Sequence, residues 1–173
     1  MPHEIWENSS LFNEIQNLLL VLYYPYPHTK PLDYQIEDVK ACNLLEGLPS
    51  YYLSQIQNEL FLLGSDLSNQ NLNDLKNRIS LDMVEKLENA IDKFEFELSP
   101  ITNFILPGGN VAAAQIHQVR TIVRRAETLV VKLSDKDEIN SNCIKYLNRL
   151  SDLMFVMGRL INKRNGIEDI IWK

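Results

Sequence analysis

The stretch "FILPGGNVAAAQIHQVRTIVRRAE", residues 104–127, contains the signals that decide the fold. An apolar run ends in Pro-Gly-Gly, and Asn110 then stands where a helix cap is expected. Apolar residues follow at every third or fourth position, which puts one apolar face on a helix. This face must be buried against other elements. The same helix carries three arginines within six residues, although the chain as a whole is acidic.

On either side of this stretch, three more segments have the same spacing. The four apolar stripes are Leu53, Ile56, Leu60, Leu63 and Leu67; Leu81, Val84, Leu87, Ile91, Phe94 and Leu98; Ile116, Val119, Val123, Ala126, Val130 and Leu133; and Ile144, Leu147, Ser151, Met154, Gly158 and Ile161. Ser80 is a predicted N-cap, and Asn165-Gly166 is a predicted C-cap. The polar stretch 64–80 is predicted to be a loop or a frayed helix end.

Residues 10–24 and 36–46 are also predicted to be helical, the second segment closed by Gly47. No segment shows the sustained alternation that is typical of a strand. The prediction is therefore an all-α fold, an antiparallel five-helix bundle with ferritin-like up-and-down packing.

Composition restricts the class of protein. The 173 residues, 45% of them hydrophobic, indicate a single globular domain over 1–173. A net charge of -6 argues against a nucleic-acid partner. The longest apolar run, "LLLVLYYPY", is far shorter than the ~20 residues that span a bilayer, so no membrane association is expected. Without a recognisable leader, a cytoplasmic protein is expected. Cys42 and Cys143 are predicted to be buried free thiols, with a disulfide or metal role as the alternative.

The arginine helix has two interpretations. His117, Arg120, Arg124 and Glu127 fall within an arc of roughly 80° beside the apolar stripe. In the first interpretation this is a solvated face, in which Glu127 holds the Arg124 guanidinium. In the second it is an anion site, because arginine presents paired donors to phosphate and the preceding glycines expose backbone amides at the helix N-terminus.

The last stripe, "KYLNRLSDLMFVMGRL" at 145–160, contains a second polar group. Asn148, Asp152 and Phe155 share one face, and Arg149 can pair with Asp152. Polar residues at such a border are often structural hydrogen bonders, and that interpretation stays open. The small residues in this stripe predict a close approach by another helix.

Taken together, "FILPGGN…AAAQIHQVRTIVRRAE" and "YLNRLSDLMFVMGRL" resemble the PduO-type ATP:cob(I)alamin adenosyltransferases. The resemblance covers about residues 36–165. It implies a five-helix bundle that assembles as a homotrimer, with active sites between subunits. It also implies transfer of the 5′-deoxyadenosyl group of ATP, bound with Mg²⁺, to the cobalt of reduced cobalamin. By this resemblance both ligands are small molecules, and the cobalt is expected to receive no ligand from the protein.

The resemblance extends to individual residues. Arg124, Glu127 and Asn148 match family positions that contact ATP. Arg120 and Arg125 match positions that support the nucleotide site or the subunit contact.

Four further residues match the family pattern. Arg149 and Asp152 match a structural pair beneath the nucleotide site. Phe104 and Phe155 match apolar residues that face the lower side of the corrin. There Phe104 would exclude water and the lower nitrogen ligand from cobalt; the alternative is that Phe104 is an ordinary loop anchor.

The divergent N-terminal segment, 1–35, departs from the family. Members carry a phosphate loop of the form T-[KR]-T-G-D-x-G-x-T. "HTKPLD" at 28–33 keeps Thr29, Lys30 and Asp33 in order but has Pro31 and Leu32 between them. Such a loop needs glycine so that backbone amides can approach the phosphates, and proline removes a donor.

Two other positions depart as well. Lys40 replaces an aspartate that in the family pairs across subunits with the position of Arg120, although Asn43 and Gly47 are kept. Thr128 replaces the final arginine of R-R-A-E-R. The sequence therefore leaves two hypotheses: a divergent adenosyltransferase, or a non-catalytic cobalamin-binding or partner-regulating protein on the same fold. ATP binding separates them.

Overall fold

The computed structural model describes Asn13 and residues 50–69, 71–76 and 78–173. In this part of the chain four helices account for most residues: α1 (Ser50–Ser68), α2 (Leu81–Glu95), α3 (Val111–Ser134) and α4 (Ser141–Arg164). The predicted helical architecture is confirmed. The helices predicted at 10–24 and 36–46 lie outside the described residues, apart from Asn13, so the count of five stays a prediction.

The central helix of the described fold is α4. It packs against α3 along most of its length, against α2, and less extensively against α1. Because three helices pack against it, burial extends beyond the predicted stripe to Tyr146, Leu150, Leu153 and Met157, all at most 1% exposed. The stripe therefore identified the helix correctly but underestimated how much of its surface is buried.

The other stripes are largely buried as predicted. In α2, however, the predicted stripe includes one exposed residue and one residue beyond the end of the helix. Val84, Leu87 and Phe94 lie in the core. Leu81, at the first position of the helix, is 51% exposed, and Leu98 lies beyond the end of α2 at Glu95. The spacing continues past the helix at its C-terminal end because a periodic pattern does not mark where backbone hydrogen bonding stops.

The predicted caps are confirmed. The Ser80 hydroxyl accepts from the Met83 N–H, and the Asn110 side chain accepts from the Ala112 N–H at 2.8 Å. Gly166, after α4, has φ +70°, a conformation that glycine adopts at little cost. These local signals set where α2 and α3 begin and where α4 ends.

The expectation of a fold without strands is wrong in one place. β1 (Ile105–Leu106) pairs antiparallel with β2 (Ile170–Ile171), with Ile105 opposite Ile171. Strands of two residues are too short for alternation to be visible in the sequence. Their pairing depends on where the chain returns after α4, which is a tertiary property.

Cys143, near the start of α4, is a buried free thiol, as predicted. Burial and the neighbouring Asp66 carboxylate raise the pKa of this thiol above its ordinary value. Cys42 lies outside the described residues. None of the described helices combines the length and apolarity that crossing a bilayer requires.

Candidate functional site

The predicted arc on α3 runs from the core to the surface. His117 is 6% exposed, Arg120 and Glu127 are half-buried, and Arg124 is exposed. Arg125 is exposed as well. The helix therefore presents one desolvated and two solvent-facing guanidinium groups in six residues.

Arg120 stacks on an aromatic ring. Its Cζ lies 4.6 Å from the centroid of Phe155 on α4, a cation–π distance. Burial and the neighbouring Arg124 lower the pKa of Arg120, while Asp152 acts in the opposite direction. Its Nε is buried and has no hydrogen-bond partner among the described residues. An unpaired buried donor costs about 1–3 kcal/mol, a cost that an acceptor from a ligand or another chain would remove.

His117 completes this stack. Its ring centroid lies 6.1 Å from that of Phe155. A Cβ added to Gly158 would lie 2.8 Å from His117 Cε1 and Nε2, so the predicted close helix approach is present at this glycine. Burial, followed by the charge of Arg120, lowers the pKa of His117. The lowered pKa favours a neutral imidazole, which lies beside the Phe155 ring.

Glu127 has a different partner from the one expected. Its Oε1 accepts a hydrogen bond from Asn148 Nδ2 at 2.9 Å, instead of pairing with Arg124. Asn148 is held on the neighbouring helix α4, so its amide is already in place, whereas the exposed Arg124 side chain would lose rotamer freedom by pairing. Arg124 forms no ion pair with any other described residue. Its charge is therefore available to a ligand.

The predicted pairing of Arg149 with Asp152 is present. Arg149 Nη1 lies 3.0 Å from Asp152 Oδ2, and Arg149 Nε lies 3.2 Å from Glu88 Oε1 on α2. All three side chains are 42–50% exposed, so each pair contributes little to stability. The Arg149–Glu88 pair connects α4 to α2, whereas the Arg149–Asp152 pair lies within α4.

Phe104 lies on the loop before α3 and is 81% exposed. Its carbonyl accepts from the Trp172 N–H at 2.8 Å, so its backbone is held although its ring is not. In the part of the chain that the structure describes, the ring makes no aromatic or cation–π contact. Phe155, by contrast, is half-buried between His117 and Arg120. The two predicted corrin-side residues therefore have different surroundings.

Sequence reasoning missed Asn162, Arg159 and Asp169. Asn162 hydrogen-bonds the Pro-Gly-Gly loop, and Arg159 forms an ion pair with Asp169 at 2.8 Å. Arg159 and Asn162 sit at the buried end of α4, where helical spacing gives no sign of a distant polar partner. The available signal was an arginine and an asparagine among the apolar residues that precede the C-cap.

The departures from the family pattern lie mostly outside the described residues. The departures at Pro31, Leu32 and Lys40 lie there, and so do the matching residues Thr29, Lys30, Asp33, Asn43 and Gly47. Thr128, which is described, is exposed, and its hydroxyl donates to the Arg124 carbonyl at 2.9 Å. It adds no charge to the arginine surface, which Arg120, Arg124 and Arg125 form on α3.

Residues 39–161 match the family model for cobalamin adenosyltransferase. A corrinoid adenosyltransferase from Bacillus subtilis is 42% identical over 132 residues, covering 73% of this chain and 67% of that protein. A cobalamin adenosyltransferase from Cupriavidus metallidurans is 40% identical over 137 residues, covering 79% of this chain and 67% of that protein.

The fold is similar to solved structures of the same family. A variant PduO-type ATP:corrinoid adenosyltransferase from Lactobacillus reuteri, complexed with cobalamin and ATP, matches with a TM-score of 0.78 and 26% identity, covering 94% of this chain and 82% of that chain. A second variant, complexed with ATP, matches with a TM-score of 0.77 and 27% identity, covering 95% and 86%. On sequence and fold together, the chain belongs to the cobalamin adenosyltransferase family.

Proposed function

We propose that this protein transfers the 5′-deoxyadenosyl group of ATP to cob(I)alamin. The electron pair of Co(I) forms the bond to C5′, the C5′–O bond breaks, and triphosphate leaves with that bond's electrons. The observation that carries the proposal is the arginine surface of α3 in an otherwise acidic member of this family.

The arginines suit the leaving group. Negative charge on triphosphate grows as the C5′–O bond breaks, so fixed cations stabilise the transition state more than bound ATP. Arg124 is exposed and forms no ion pair with a described residue, which leaves its paired donors available to phosphate oxygens. Arg120 is desolvated and stacked, so its charge acts through a less screened environment. Arg125 extends the same surface.

Glu127 and Asn148 suit recognition of the nucleotide. Their mutual hydrogen bond fixes both side chains at the α3–α4 boundary. Glu127 can still accept further hydrogen bonds, and Asn148 can still donate and accept. We assign them contacts with ATP, and Arg149 and Asp152 support from below. Mg²⁺ fits this arrangement as an ion held mainly by the phosphates, since the described residues bring no three metal-ligating side chains together.

Phe104 and Phe155 suit the lower side of the corrin. An apolar ring below cobalt excludes water and the lower nitrogen ligand. Four-coordinate Co(II) is then easier to reduce to nucleophilic Co(I), because no axial donor raises the orbital that accepts the electron. An exposed phenylalanine on a hydrogen-bonded loop supports this role for Phe104. The protein thus controls the metal without ligating it.

The test is adenosylation of cob(I)alamin under reducing conditions. We expect Arg124→Ala to lower kcat by about 100-fold or more, the usual effect of removing one transition-state donor. Lys132→Ala is the matched control, because Lys132 is a basic residue in the last turn of the same helix. Equal effects of the two substitutions would show that general positive charge, and not Arg124 itself, is what matters.

The departures at Pro31 and Lys40 favour one alternative, a non-catalytic protein that binds cobalamin or regulates a partner. Calorimetry with MgATP distinguishes the two. The enzyme is expected to bind MgATP with micromolar to sub-millimolar affinity. Cobalamin binding without MgATP binding would instead establish the alternative.

A further inference from the structure

The loop that carries Phe104 is held mainly by hydrogen bonds. Ile105 and Ile171, paired across the two short strands, line a cavity of about 480 Å³ and are not part of the core. Apolar packing therefore does little to fix this segment. Its position depends on its backbone partners.

Asn162, on the last turn of α4, supplies the central partners. Its Nδ2 donates to the Gly108 carbonyl at 2.8 Å, and its Oδ1 accepts from the Asn110 N–H at 2.9 Å. Its own carbonyl accepts from the Ile167 N–H at 2.9 Å. One residue, only 6% exposed, thus holds both the loop before α3 and the segment that leads to β2.

Gly109 shows how closely the loop lies on this amide. A Cβ at that position would be 2.8 Å from Asn162 Cγ, and the residue has φ +92°. Both the space and the backbone conformation require glycine. The loop backbone therefore rests directly on the Asn162 side chain.

Arg159, one turn earlier, makes a second tie. Its Nε pairs with Asp169 Oδ2 and its Nη2 donates to the Ser99 carbonyl, both at 2.8 Å. The residue is 5% exposed. These contacts fix the chain shortly before each paired strand: Ser99 precedes β1 and Asp169 precedes β2.

We propose that Asn162 is a positioning residue for the corrinoid site, with the Arg159–Asp169 pair in support. It fixes the loop so that the Phe104 ring stands below cobalt. The inference rests on the proposed function for the ligand, but its structural part is independent of it. Only an amide fits: aspartate would turn an acceptor toward the Gly108 carbonyl, and leucine would leave two backbone groups unpaired.

The first test is the coordination of cob(II)alamin bound with MgATP, followed by electron paramagnetic resonance. We expect Asn162→Asp to reduce the four-coordinate fraction several-fold and to raise KM for the corrinoid, with KM for ATP within twofold of wild type. Phe104→Ala is the positive control. Asn165→Asp is the matched negative control, because the Asn165 side chain donates within α4, to the Ile161 carbonyl.

The second test is hydrogen exchange of the amides of residues 105–112. Loss of loop hydrogen bonds is expected to speed exchange about tenfold in Asn162→Asp and not in Asn165→Asp. If Asn162→Asp does not fold, Gly109→Ala replaces it in this test, because it disturbs the same contact from the loop side. We expect the same faster exchange in that variant.

If Asn162→Asp exchanges its loop amides faster but leaves the Co(II) spectrum unchanged, the positioning role is wrong. It is also wrong if Asn162→Asp changes neither the exchange nor the spectrum. A wild-type protein that gives no four-coordinate Co(II) would refute the proposed function instead. In that case unchanged exchange in Asn162→Asp would also refute the loop-fixing role.

Discussion

His117 is an imidazole that the fold keeps neutral. It lies between Gly158 and Phe155, and Arg120 is on the next turn of α3. Burial and the Arg120 charge lower the His117 pKa below the ordinary value of 6.5, although Asp169 opposes this. The unfolded chain therefore binds a proton at this residue more readily than the folded protein does.

This difference predicts a pH-dependent stability. As pH falls below the unfolded pKa of 6.5, protonation of the unfolded state lowers the free energy of unfolding, and the loss continues down to the folded pKa. We expect the wild type to lose more stability between pH 7 and pH 5 than His117→Gln, which cannot titrate. Urea denaturation at several pH values measures this. Parallel pH profiles for the two proteins would contradict it.

At the scale of elements, the described residues between α1 and α2 are mostly polar in sequence, yet side-chain hydrogen bonds hold them to the rest of the fold. Arg78 forms an ion pair with Asp66 and donates to the backbone carbonyls of Asp66, Asn69 and Asp74. The second oxygen of Asp66 accepts from the Ile79 N–H and from Asn140 Nδ2, both at 2.7 Å. The ion pair thus joins this connection to the N-cap of α4.

Removing the arginine should therefore be costly. The Asp66 side chain is fully buried and that of Arg78 is 11% exposed. We expect Arg78→Ala to lower the free energy of unfolding by about 3–5 kcal/mol, because it leaves a buried carboxylate without its counter-charge.

Lys86→Ala is the control. Lys86 and Asp82 form a pair on α2 whose side chains are 56% and 67% exposed, and such pairs contribute about 0–1 kcal/mol. Chemical denaturation compares the two variants. Similar losses would mean that the buried ion pair does not organise the connection.

At the scale of the whole molecule, the arginine surface and Phe104 both face outward, and the buried Arg120 Nε lacks an acceptor among the described residues. A site open on one side is what a second subunit completes. We therefore propose that a neighbouring subunit completes the site, in the homotrimer that the sequence resemblance implies.

Sedimentation equilibrium over a range of concentrations tests the assembly. The expected mass is three times the 20.1 kDa of the chain, maintained on dilution. A mass equal to one chain at the concentrations used for activity would rule out a site shared between subunits. Adenosylation measured on the same samples connects the assembly to the reaction.

The sequence by itself determined the four described helices, the caps at Ser80 and Asn110, and the arginine face. These signals are local, because a helix relates residues three or four apart and a cap relates residues two or three apart. The family pattern also lies in the sequence.

Only the tertiary structure decided four features: the partner of Glu127, the pairing of β1 with β2, the burial of α4 beyond its predicted stripe, and the hydrogen bonds of Asn162 to the loop. Each of these joins residues far apart in the chain or depends on how many neighbours surround a helix. A side chain forms its hydrogen bond with a partner that packing already holds in place. The spacing of residues within one helix does not indicate which partner that is.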